Sequence, residues 1–114
     1  MAYLKDFSGR VLLVIEDDMI KEYNRMIKYR IKDNCVTDFG GKILFRIDGN
    51  YIKDFGGRIL LNVSYDQVKQ INGQIIAKFD TNYIKDFGGM IKYRIDGFLS
   101  RREMMALFAN IYAV

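Results

Sequence analysis

The chain of 114 residues has no histidine and a single cysteine, Cys35. Losing histidine removes the commonest general base and metal ligand, and a lone thiol without a base partner makes a poor nucleophile. One cysteine also rules out an intrachain disulfide framework. No linker-like stretch interrupts the sequence, so one domain over 1–114 is expected, and at this length it can build a real core. No charged segment followed by an apolar run precedes the first patterned residue, Tyr3, which leads us to expect a reducing, cytoplasmic setting. Eighteen bases against fourteen acids give a net charge of +4, modest for a nucleic-acid binder.

What the chain has in abundance is repetition. Six copies of a sixteen-residue unit run without a gap over 3–98, opening at Tyr3, Met19, Cys35, Tyr51, Gln67 and Tyr83. A fixed period means that one small unit, unable to bury its own apolar face, is stacked on copies of itself. Numbering the positions of each copy as slots one to sixteen, slot two is always aliphatic (Leu4, Ile20, Val36, Ile52, Val68, Ile84), as is slot nine (Val11, Ile27, Ile43, Ile59, Ile75, Ile91). Slots eleven and thirteen are also largely apolar, and the alternation from nine to thirteen has the period of a strand. Slots two, nine, eleven and thirteen are therefore expected inside, and one, three, eight, ten and twelve outside.

Two turns punctuate each copy. The string D-F-G-G suits a hairpin with a positive-φ glycine in slot seven, and Asp48-Gly49 and Asp96-Gly97 suit a two-residue loop in slots fourteen and fifteen. Two-residue loops at both places would pair slot two with slot nine, and slot eleven with slot two of the next copy. This gives an antiparallel meander of roughly twelve strands, expected to close or nearly close because closure removes the exposed edges. Copies four to six echo one to three, while copy six also echoes copy two, so two-, three- and sixfold symmetry all remain open.

The last sixteen residues, 99–114, read as a helix. Ser100-Arg101-Arg102-Glu103 is a capping box, and Met104 through Tyr112 is apolar nearly all round, interrupted only by Asn110. Such a helix is too short to span a membrane and must be covered, either as a plug or cap on the β unit or in an oligomer.

Chemistry is sparse. The D-F-G string occurs three times, and once more as D-F-S, as turn punctuation, without the other parts of a kinase site. The Gly-Gly pairs precede strands instead of the helix that a phosphate site needs. One acid per turn falls short of the oxygens a hard cation requires. Neither an enzyme, a cofactor nor a metal is expected. The candidate ligand surface is the outward face, with Tyr3, Tyr51 and Tyr83 beside Lys53, Lys85, Arg46 and Arg94, on the expectation that slot twelve stands across from the next copy's tyrosine. Cys35 takes the slot held elsewhere by Tyr, Met or Gln and reads as a packed substitution.

The unit Y-I-K-D-F-G-G-R-I-L, followed by R-I-D-G and a return to Tyr, resembles the short bacterial repeats of four-fold β-flower proteins over 3–98. Phe after the Asp, six copies and a terminal helix depart from that pattern. The resemblance implies a fold and carries no activity. The functions expected are a structural or protein-interaction module, whose partner is itself through the helix or a sheet edge, or another protein. A carbohydrate-binding module comes next, and nucleic-acid binding third.

Overall fold

The computed structural model describes residues 1–113. Its strands are β1 (Ala2–Asp6), β2 (Val11–Glu16), β3 (Met19–Glu22), β4 (Ile27–Lys32), β5 (Cys35–Thr37) and β6 (Ile43–Asp48) in the first half. They continue as β7 (Tyr51–Asp54), β8 (Ile59–Ser64), β9 (Gln67–Gln70), β10 (Ile75–Phe79), β11 (Tyr83–Asp86) and β12 (Ile91–Gly97), followed by the helix α1 (Arg101–Tyr112). Each strand pairs antiparallel with its chain neighbours, and β1 pairs with β12 from Ala2–Gly97 to Asp6–Tyr93, closing a twelve-stranded barrel. Gly97 makes the seam possible, because a Cβ there would meet the Met1 carbonyl oxygen at 2.3 Å.

The first turn is a three-residue loop. Asp38 N–H donates to Lys42 O at 3.0 Å and Gly41 N–H to Asp38 O at 3.1 Å, with Gly41 at φ +95°. The Asp38 carboxylate accepts from the backbone N–H groups of Gly40 and Lys42 at 2.9 and 3.0 Å, which is why an aspartate opens the turn. The second loop occupies slots fifteen and sixteen, one residue later than expected, since Glu16 pairs with Met19 and Asp48 with Tyr51. In the first copy both loop residues, Asp17 and Asp18, have positive φ, as a type I′ turn requires.

These loops shift the expected register by two residues. Slot two pairs with slot eleven of its own copy (Leu4–Leu13) and with slot thirteen of the copy before (Ile15–Ile20). An even shift leaves every side chain on its own face, so slots two, eleven and thirteen supply the barrel core as expected. Slot nine does not. Every copy carries a β-bulge in its hairpin, placing Val11 across from Lys5, and Ile27, Ile43, Ile59, Ile75 and Ile91 across from Lys21, Thr37, Lys53, Lys69 and Lys85. Directly opposed residues share a face, so the slot-nine aliphatics lie outside, where Ile91 is 40% exposed. The extra residue of each bulge is slot ten; Leu12, Leu44, Leu60 and Ile76 there pack against the core, whereas Lys28 and Lys92 are exposed.

A barrel of about eight strands is filled by its own side chains, and a wider one leaves a lumen. Here α1 fills it. Met105, Ala106, Leu107, Phe108 and Ala109 are all fully buried, and five consecutive residues at 100° steps cover the whole helix circumference. A helix lying on the barrel would leave one side open, so α1 stands within it. Phe108 meets the Phe79 ring at 4.7 Å between centroids. The Ser100 hydroxyl accepts from Glu103 N–H at 3.1 Å and the Glu103 carboxylate accepts from Ser100 N–H at 3.0 Å, completing the capping box. Arg101 donates to Asn50 Oδ1 and Arg102 to Asp18 Oδ2, tying the start of α1 to the end with the two-residue loops. Enclosed helix and closed sheet leave neither as a route to an oligomer, contrary to that expectation. Val114, the last residue of the expected helix, lies outside the described residues.

Candidate interaction surface

On the outer wall, slot twelve stands across from slot one of its own copy and slot three of the next. Tyr83–Arg94–Lys5 and Cys35–Arg46–Lys53 are two such rows. The expected pairing of each slot-twelve base with the next copy's tyrosine is therefore not formed. Only Tyr83 stands beside an arginine, Arg94; Tyr3 lies between Asp96 and Val14, and Tyr51 between Asp48 and Asn62. Of the seven candidate residues, Tyr83, Lys85 and Arg94 share a neighbourhood on β11 and β12, with Tyr3 one strand beyond. Tyr51, Lys53 and Arg46 belong to the opposite side of the ring.

Several of the expected cations are already engaged. Lys53 bridges to Asp48 at 2.7 Å, and Arg46 Nε donates to the Phe55 carbonyl at 3.1 Å. Lys21 with Glu16 and Lys5 with Asp96 repeat the Lys53 pattern, a slot-three lysine on the slot-fourteen acid of the preceding copy. The lysine side chains, across from the slot-nine aliphatics, are only 15–25% exposed, so their stems shield that outer apolar row. The hydrogen bond from Lys21 holds the Glu16 carboxyl below the usual range, and that from Lys5 does the same for Asp96. Lys85 has no such acid, because Asp80 instead accepts from the backbone N–H groups of Asn82 and Tyr83, both at 2.8 Å.

The largest group of exposed apolar side chains is one the strand pattern did not single out. The residue after the turn-opening slot is large and apolar in all six copies: Phe7, Tyr23, Phe39, Phe55, Ile71 and Phe87. All are 68–78% exposed. These are the tips of the six bulged hairpins, and the meander places them at one end of the barrel. Some tips meet the outer wall of the copy before. Tyr23 borders a cleft of about 370 Å³ with Val11 and Arg10, and Phe39 one of about 330 Å³ with Ile27, Met26 and Arg30. The signal was present in the sequence, since nothing in a type I turn requires an apolar residue there.

The opposite end is different in charge. Slots fourteen to sixteen hold eight of the fourteen acids (Glu16, Asp17, Asp18, Asp33, Asp48, Asp66, Asp80, Asp96) and one base, Lys32. At that end a depression of about 450 Å³ is lined by Tyr65, Phe79, Phe98, Leu99 and Met104, with Asp66 and Asp80 also on its lining. Tyr65 there is 96% exposed. Slots three to twelve hold fifteen of the eighteen bases and five acids, and four of those five, Asp6, Asp38, Asp54 and Asp86, hydrogen-bond to their own turn's backbone. No group of three or more His, Cys, Asp or Glu among the described residues is placed to hold a metal ion. No protein-family model, no curated protein and no solved structure matches the chain.

Proposed function

We propose that the chain is a non-catalytic protein-interaction module whose binding elements are the hairpin tips. The observation that carries this reading is the ring of six exposed apolar tips, 68–78% accessible, on loops whose backbone is fixed by hydrogen bonds. Rigid aromatic side chains presented to solvent are the usual anchors of protein interfaces, since they add contact area with little loss of conformational freedom. Exposed apolar residues grouped at one end of a molecule, unlike single scattered ones, mark such surfaces.

Carbohydrate binding by the outward tyrosines has less support, because Tyr51 is far around the ring from Tyr3 and Tyr83, and no two tyrosines are adjacent on the outer wall. The test is a variant carrying Phe7→Ser, Phe39→Ser, Phe55→Ser and Phe87→Ser. It is expected to keep its fold, with stability within about 1 kcal/mol of the parent, and to lose the protein partners that quantitative affinity capture finds for the parent. Retention of the same partners would overturn the reading. Glycan binding abolished by Tyr83→Ala would replace it with the carbohydrate one.

A further inference from the structure

We propose that the partner is a second copy of this chain, bound head to tail, with a hairpin tip of one molecule seated in the depression at the acidic end of the next. This rests on the reading of the tips as binding elements and names what they bind. Three tips carry an aromatic ring followed three residues later by a cation: Phe7 with Arg10, Phe39 with Lys42, Phe55 with Arg58. The depression offers the complement. Phe79, Phe98 and Met104 are among its apolar lining, the two carboxylates of Asp66 and Asp80 are beside them, and its volume of about 450 Å³ is within the range of pockets that hold ligands.

Charge agrees at the larger scale. The loops of the end that would receive the tip hold eight acids against Lys32, with Arg101, Arg102 and Glu103 at the start of α1 beside them, and the hairpin end and wall that would approach it hold most of the bases. Both surfaces also expose apolar rings, Phe98 at 78% beside the depression and the tips at the opposite end. Because the two surfaces differ and lie at opposite ends of the barrel, the contact is heterologous and does not close on itself as a twofold dimer does; it propagates into open chains of molecules.

The test uses two variants of the full chain, both altered at exposed positions. The tip variant carries Phe7→Ser, Phe39→Ser and Phe55→Ser, and the receiving-end variant carries Asp66→Arg and Phe98→Ser. Sedimentation velocity should show the parent's average mass rising at least twofold between about 10 µM and about 1 mM protein, and each variant alone remaining monomeric. An equimolar mixture should regain association but stop at the dimer, since only one of the two possible contacts is intact. A parent that stays monomeric at about 1 mM, a variant that associates as the parent does, or a mixture that stays monomeric would overturn the proposal. If the parent is monomeric while the tip substitutions still abolish capture of another protein, head-to-tail association falls and the interaction reading stands; if both fail, both fall.

Discussion

Asn24 Oδ1 accepts from the backbone N–H of Met26 at 3.1 Å, doing in the second copy what an aspartate two residues earlier does in others. The second copy has Glu22 in the turn-opening slot and the fifth has Gln70, where Asp38, Asp54 and Asp86 stand elsewhere. In both of those copies an asparagine replaces the glycine or serine of slot six, and Asn72 likewise accepts from Gln74 N–H at 3.0 Å. The slot-eight N–H is thus satisfied by one of two side chains. Asn24→Gly alone should cost about 1 kcal/mol in urea unfolding, and adding Glu22→Asp should restore most of it. An additive double variant would show that the acceptor is not exchanged.

A second exchange involves charge. Lys32 is the only base in slot fourteen, and the slot-three residue of the following copy, Thr37, is the only one that is not lysine. At three other places in the ring an acid in that slot pairs with the lysine, as Asp48 does with Lys53. Thr37→Lys should therefore destabilise by roughly 0.5 kcal/mol at low salt, and Lys32→Glu in the same chain should reverse the sign of the coupling. A double-mutant cycle at low and high salt measures it, with the effect fading as salt rises.

The plug predicts a large packing cost. Phe108 is fully buried between the barrel wall and its own helix, with Phe79 at 4.7 Å and Tyr112 at 6.4 Å between ring centroids. Phe108→Ala should lose about 3–5 kcal/mol, a large part of what a domain of this size has to lose. Urea unfolding followed by far-ultraviolet circular dichroism checks this. A loss below about 1 kcal/mol would mean that the ring is not packed as described.

Alkaline pH should loosen the same plug. Burial, with Tyr93 and Asp86 nearby, pushes the Tyr112 phenol up to about 12. An unfolded tyrosine ionises near 10, so between the two values the unfolded chain binds fewer protons than the folded one. The contribution of Tyr112 is fully present below pH 10 and is lost as pH rises towards 12. Tyr112→Phe should flatten the fall in stability over that window, and an unchanged pH profile would contradict the burial.

How far the sequence led depends on the kind of signal. The alternation of Leu13, Ile15 and their counterparts gave the barrel wall, because period two is a direct consequence of strand geometry. The register missed by two residues, since loop length depends on backbone φ that residue names constrain only loosely; an even miss did no harm to the faces. The bulge did harm. It reverses the alternation between slots nine and eleven, and Ile43 and Ile59 are as apolar as the core residues they resemble, so composition could not place them outside. A helix without a polar face announced that it must be covered, though not by what. The tyrosine rows of the outer wall followed from the mistaken register, whereas the tips could have been found from slot five alone.

The helix α1 is enclosed by a closed ring of hairpins. In a Cys35→Ser background, single substitutions Met105→Cys, Ala106→Cys, Leu107→Cys and Ala109→Cys sample the whole circumference of α1. Thiol modification under native conditions should find all four protected, reacting only as fast as the protein unfolds. A free-thiol rate at any one of them, in a variant that circular dichroism shows to be folded, would mean that the helix lies on the barrel and not within it.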